Sequence, residues 1–167
     1  MRDFDLPTRF GLAIAPGRVF QMLLTPEHQA AALAGIRRHL RPGGVFVAHL
    51  FDPMLDWCTP MDGPLDRADR GSGRIAQSGN AVRVSALHRV NDPLAQVFAE
   101  RWEFVELAPD GTELRRDEEI LRMRWTYRYE MRYLLQLAGF AVEAEFSDFH
   151  RSPPHYGAEQ IWIVRRT

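Results

Sequence analysis

The spacing of apolar and polar residues changes twice along this chain, and the changes mark how it is organised. FGLAIAPG (10–17) is a short apolar run closed by Pro and Gly, the pattern of a strand buried on both faces. Thr25-Pro26-Glu27 then opens a helix, with Thr as N-cap, Pro at the first helical position and an acid in the first turn. The helix is expected to reach Leu40. Ala30, Leu33, Ala34, Ile36, Arg37 and Leu40 lie along its inner side, and Arg37, Arg38, His39 and Arg41 crowd its carbonyl end. Arg41-Pro42-Gly43-Gly44 stops it, and VFVAHLF (45–51) reads as a second buried strand. Two buried strands joined by a helix form a parallel pair with a right-handed crossover, so the pattern predicts the α/β class.

Residues 52–80 lack periodicity and are rich in Pro, Gly, Asp and Ser, with Trp57 and Ile75 as rare apolar points; they read as a functional lid or a disordered loop. Period two then takes over in 82–90, 96–107 and 112–125, joined at Asn91-Asp92-Pro93 and at the hairpin signal Pro109-Asp110-Gly111. Val82, Val84 and Ala86 share one face, as do Phe98, Trp102 and Phe104, and Leu121, Met123 and Trp125. The result is an antiparallel three-stranded β-meander with one wet face. Arg116, Glu118, Arg122 and Arg124 read as solvated surface, with an anion site as the alternative. Thr126 is expected to cap a helix whose apolar positions are Tyr127, Met131, Leu134, Leu135 and Ala138, with Gly139 just past its end. Strands at 141–149 and 160–166 follow. Residues 1–9 read as a loop entering the first strand.

Composition narrows the function. At 167 residues and 46% apolar content, one domain with a proper core is expected, residues 1–167 with 82–125 as an antiparallel insertion. A formal charge of −1 argues against a dedicated binder of nucleic acid or of a membrane surface. All 21 basic residues are Arg. Cys58 is the single cysteine, which excludes an intrachain disulfide and fits a reducing compartment. No apolar run approaches the roughly 20 residues of a membrane span, so a cytoplasmic protein is the expectation.

FGLAIAPGRVFQMLLTPEHQAAALAGIRRHLRPGGVFVAHLFDP, an antiparallel insertion, then YRYEMRYLLQLAGFAVEAEFSDF and QIWIVRR, follow one another in a familiar order. In that order they resemble the C-terminal half of a class I S-adenosylmethionine-dependent methyltransferase. The pieces that carry the resemblance are the helix ending in L-R-P-G-G before an apolar strand and the helix-L-L-x-x-A-G-F before the next-to-last one. The resemblance implies a partial Rossmann-like methyltransferase fold made of the last four strands of the sheet. Their spatial order would be the Phe10 strand, the Val45 strand, the C-terminal strand, then the Ala141 strand. The Phe10 strand would then be an edge, apolar on both faces, that invites pairing with another chain.

The family binds S-adenosylmethionine mainly with the half that has no counterpart here. No G-x-G-x-x-G-like turn occurs, and Gly71-Ser72-Gly73 neither follows a predicted strand nor opens a helix. MRDFDLP resembles the segment after the third strand of the family, so Met1 and Arg2 would flank the adenine and Met1 would be an internal methionine. Gly11 departs from the Asp common at its position. Ala15, Pro16 and Gly17 sit where the family meets the methionine moiety, at the carboxyl end of a strand. Arg18, Phe20 and Gln21 follow in the loop that faces the methyl acceptor in relatives. The bland alternative is that Phe20 packs the core and Arg18 is solvated. Trp57 reads as part of a lid over the acceptor, and His88 as a group that could face it. Methyl transfer is an in-line displacement that needs orientation more than an acid or base, so the lack of a catalytic motif does not argue against it.

Other chemistry is thinly supported. His150 and His155 flank Ser152-Pro153-Pro154 without a third ligand at metal spacing, so no metal is expected. His49 reads as a satisfied core histidine, and Cys58 has no base near it in sequence. Two classes of function stay open. One is a small-molecule methyltransferase whose N-terminal half lies outside this chain. The other is a non-catalytic binding or assembly module that forms a homodimer or complements a separate N-terminal half. The isolated chain is expected to bind S-adenosylmethionine weakly or not at all.

Overall fold

The computed structural model describes residues 4–167, which form mixed α/β structure with two four-stranded sheets and two α-helices. They divide into two compact units. One comprises the chain up to Cys58 together with Met123–Thr167, and the other is Thr59–Arg122.

In the first unit, β1 (Phe10–Ala15) pairs in parallel with β2 (Leu40–Phe51) across α1 (Pro26–His39). As expected, Thr25 caps α1, accepting from His28 N at 3.2 Å. The buried face of α1 is Gln29, Ala32, Leu33, Gly35, Ile36 and His39, whereas Ala30 and Ala34 are exposed. Alanines on both sides of the helix make its apolar stripe ambiguous, and Gln29 hides its polarity in hydrogen bonds. The Arg41-Pro42-Gly43-Gly44 stretch does more than end the helix. It lies within β2 as an irregularity opposite Phe10–Leu12, with Gly43 left-handed at φ 72°. A Cβ on Gly44 would sit 2.9 Å from the Arg41 carbonyl oxygen, so only glycine fits there.

β7 (Phe140–Phe146) and β8 (Glu159–Arg166) complete the sheet in the order β1-β2-β8-β7, with β8 antiparallel to both neighbours. That is the order the resemblance implies. α2 spans Arg128–Leu137. Thr126 does not cap it: its hydroxyl accepts from Gln29 Nε2 at 3.1 Å in the core, and Tyr127 is the N-cap, with its N–H donating to Glu130 at 3.2 Å. Arg124, read as solvated from the period, is buried; it donates to Gln29 Oε1 at 3.0 Å and to Glu130 at 2.8 Å. α1 and α2 pack Leu33, Ile36, Met131 and Leu135 against Phe46, Ala48, Leu50, Trp162 and Val164, all on one face of the sheet.

The other face departs from expectation. β1 is not buried on both sides, since Phe10 is 42%, Leu12 57% and Ile14 64% exposed. The strand is an edge, and the face that Leu12 and Ile14 share with their partners Val45 and Val47 is exposed at β1 and half-buried at β2.

The second unit holds β3 (Met61–Arg74), β4 (Ala81–Asp92), β5 (Val97–Leu107) and most of β6 (Glu113–Arg124) in sequential order, with β4 antiparallel to both β3 and β5. The pattern predicts three of these strands. β3 comes from the stretch read as lid or loop, and it escapes the period-two test because it is an irregular edge. It contains Pro64, and its register with β4 shifts between Pro64 and Ala68 and again between Asp69 and Gly71. Among the described residues no helix is long and apolar enough to cross a membrane.

Candidate functional site

The carboxyl ends of the parallel strands β1 and β2 lie side by side, and the turn after β1 holds two successive residues at positive φ. Gly17 and Arg18 follow one another in the left-handed region, at φ 62° and 64°. Glycine adopts this freely, whereas arginine does so only where its surroundings hold it. Those surroundings are visible. Gly17 N donates to His49 Nδ1 at 3.2 Å, and His49 Nε2 lies 2.9 Å from Glu159 Oε2. The first bond assigns Nδ1 as the acceptor, so Nε2 carries the proton that it donates to Glu159. The same carboxylate receives the Arg18 guanidinium in a two-point pair, through Nη2 and through Nε at 3.3 Å. Phe149 sets its ring edge-on to His49, with centroids 4.9 Å apart, and Arg18 reaches over Phe51.

Beneath this rim lies a buried polar chain. Gln21 is fully buried; its Oε1 accepts from Phe51 N at 3.0 Å and its Nε2 donates to Phe51 O at 3.4 Å. Asp52, 6% exposed, accepts from Gly157 N at 2.9 Å and from Gln160 Nε2 at 2.8 Å, and pairs with Arg128 at 3.3 Å. Gln160 in turn accepts from Trp162 Nε1 at 3.0 Å. These bonds fix the strand ends from below, so the rim is held by satisfied polar groups rather than by apolar packing alone.

Of the residues singled out from sequence, Ala15, Pro16, Gly17 and Arg18 lie together at this rim. Phe20 is fully buried in the core, and the Gln21 amide bonds to the Phe51 backbone. Trp57 is half exposed in the short 3-10 turn Leu55–Cys58. His88 belongs to the second unit, on β4, with Nε2 3.4 Å from Asp62. Met1 and Arg2 lie outside the described residues. His49 and Glu159 went unrecognised as a pair because 110 residues separate them. A histidine ending one buried strand and an acid opening its neighbour were the only available signal. Among the described residues no three of His, Cys, Asp and Glu gather as a metal set.

The whole described chain superposes on solved methyltransferases. One is an S-adenosylmethionine-dependent methyltransferase from Clostridium acetobutylicum ATCC 824, at TM-score 0.76 and 11% identity, with 99% of this chain and 61% of that one covered. Another is the CcbJ methyltransferase from Streptomyces caelestis, at 0.68 and 20%, covering 99% and 65%. A third is CalS10 from Micromonospora echinaspora, an amino pentose methyltransferase of calicheamicin biosynthesis seen with its S-adenosylmethionine; it gives 0.66 and 19%, covering 99% and 62%. The fold is that of these methyltransferases. No family model matches the sequence, and no curated protein does. The chain spans less than two thirds of the length of each solved neighbour.

The residues of this methyltransferase fold do not fit the whole cofactor. At the rim, the Gly17 N–H is taken by His49 and the Arg18 guanidinium by Glu159. Among the described residues there is no Gly-rich strand-to-helix turn to hold a carboxylate or ribose, and Gly71 and Gly73 lie inside β3. What this end offers is the backbone of Ala15–Gly17 and a rigid ion-paired wall.

Proposed function

We propose that this chain is the C-terminal half of a Rossmann-like, S-adenosylmethionine-dependent methyltransferase acting on a small molecule, and that a further polypeptide segment completes its cofactor site. The observation that carries this reading is the β1-β2-β8-β7 order with β8 antiparallel at its centre, over which 99% of the chain superposes on such enzymes. The uncovered Leu12–Ile14 face and the 61–65% coverage of the neighbours support the second part. In this reading Ala15, Pro16 and Gly17 lie against the methionine end of the cofactor. Arg18 and Trp57 serve the acceptor side. The acceptor class follows one neighbour, an amino pentose methyltransferase, and is an amino sugar. In this reading the chain works in the cytoplasm, which its single cysteine supports.

A second reading, a binding or assembly module that dimerises, is favoured by the same open apolar face. One calorimetric experiment separates them. S-adenosylmethionine is titrated into the 167-residue chain alone and into the chain co-expressed with the polypeptide encoded directly upstream. The expected result is no measurable heat for the first and micromolar binding for the second. Micromolar binding by the chain alone refutes an incomplete site, and no binding by either leaves the assembly module.

A further inference from the structure

The second unit carries a cleft of about 730 Å³ lined by Arg67, Asp69, Ser72, Arg83, Ser85 and Arg116. Strand register builds it. Asp69 is opposite Ser85, Ser85 opposite Glu103, and Ser72 opposite Arg83, so these side chains share one face of the sheet. Glu103 lies at the bottom, 2% exposed, and each of its oxygens holds one guanidinium: Arg67 Nη1 at 2.6 Å on Oε1 and Arg116 Nη1 on Oε2. A buried carboxylate thus fixes two arginines with N–H groups left over.

The remaining donors are not hydrogen-bonded. Among the described residues Arg83 makes no hydrogen bond or close ion pair, feeling only the charge of the exposed Glu113, and the hydroxyls of Ser72 and Ser85 make no hydrogen bond. Ser85 is only 5% exposed, and a hydroxyl so placed normally has a partner. The lining carboxylate does not fill the gap, because Asp69 Oδ1 accepts from Gly71 N at 2.8 Å. Arg116 also pairs with Glu113, but that pair is exposed on both sides and easily shared.

We propose that this cleft binds a phosphate group, free or carried as a monoester. Arg83, Ser72 and Ser85 would supply the direct hydrogen bonds, with Arg67 and Arg116 as flanking charge. Guanidinium forks and hydroxyls arriving from three strands suit a tetrahedral oxyanion with several acceptor oxygens. The site lies wholly within the second unit and does not depend on methyl transfer.

The test titrates inorganic phosphate, and separately methyl phosphate, into the full chain in low-salt chloride buffer by calorimetry. Saturable one-site binding is expected for at least one of the two, and the tighter of them tells free ion from ester. Arg83→Ala should weaken it about ten- to a hundredfold, the loss of charge-assisted hydrogen bonds. Ser85→Ala should weaken it several-fold. Neither group bonds to the protein, so both variants should keep the parent's thermal midpoint, which separates lost binding from lost fold. No saturable binding of either probe, or binding unchanged in Arg83→Ala, overturns the proposal.

Discussion

On one face of the β1-β2-β8-β7 sheet, Phe46, Ala48, Leu50, Trp162 and Val164 lie under two helices and are at most 1% exposed. On the other face of the same sheet, Leu12 and Ile14 of the edge strand β1 are 57% and 64% exposed. Along β1 the two faces alternate residue by residue, with Ala13 and Ala15 turned to the core and Leu12 and Ile14 away from it, and all four are aliphatic. Strands written this way belong to a sheet covered on both sides. Half of that demand is met here, which explains how the chain can have a well-packed core and still present apolar surface.

The largest effect should come from the finished face. Trp162 is fully buried, stacks under Arg132 with 5.3 Å to its ring centre, and donates to Gln160. Trp162→Ala should cost about 3–5 kcal/mol, read as a lowered urea midpoint. Ile14→Ala on the open face should move that midpoint little. Equal losses at the two positions would mean that the open face is covered in solution.

Next comes the polar seam beneath α1. Gln29 bridges Arg124 and Thr126, all three at most 4% exposed. Gln29→Ala should cost about 1–3 kcal/mol, because it removes one of the bonds of a buried guanidinium and the donor to a buried hydroxyl. Gln29→Glu keeps an acceptor for Arg124 and should lose less at neutral pH. A loss no larger than that of Ala30→Gly on the exposed side of α1 would show that the seam contributes nothing.

The second unit supplies a smaller, pH-dependent contrast. Burial pushes Glu100 upward, but hydrogen bonds from Arg70 and Trp102 and the charges of Arg70 and Arg89 outweigh it and hold the carboxyl below its ordinary 4.5. A depressed folded value means that this stability is present above the unfolded value and is lost as pH falls through the folded one. Acid unfolding of the second unit should therefore steepen below pH 4.5, followed by Trp102 fluorescence. In Glu100→Gln that part of the slope should vanish. An unaltered acid profile would assign the dependence to other carboxylates.

How legible this was in the sequence depended on whether local pattern and tertiary context agreed. Thr25-Pro26-Glu27 is a start signal written in adjacent residues, and it predicted the cap of α1. The strand order followed from the resemblance of whole segments, not from any residue. β3 was missed because an edge strand tolerates Pro64 and bulges that erase its period. Arg124 and Thr126 were misplaced because their partner, Gln29, is nearly a hundred residues away, and a buried polar bond leaves no local trace. Gly17 and Arg18 are readable as the turn that follows the first strand, but the His49–Glu159 pair that holds this turn joins two strands distant in sequence.

The smallest expected change in stability falls on the open face, where a charge should matter for association instead. Ala13 packs against the core and pairs with Phe46, so a charge there would damage the finished side. Ile14 points the other way, half exposed beside Val47. A lysine at this position meets water, so Ile14→Lys should shift the unfolding midpoint by no more than about 0.5 kcal/mol. An edge strand with unpaired backbone groups and apolar neighbours pairs with another chain unless charge or cover prevents it. Light scattering after size exclusion should therefore find the parent chain larger than a monomer of 19.2 kDa, and Ile14→Lys shifted toward one. If both run as clean monomers at high concentration, the edge does not associate and the open face waits for a specific partner segment. If both stay associated to the same extent, the association uses a different surface, and the comparison between the two faces says nothing about assembly.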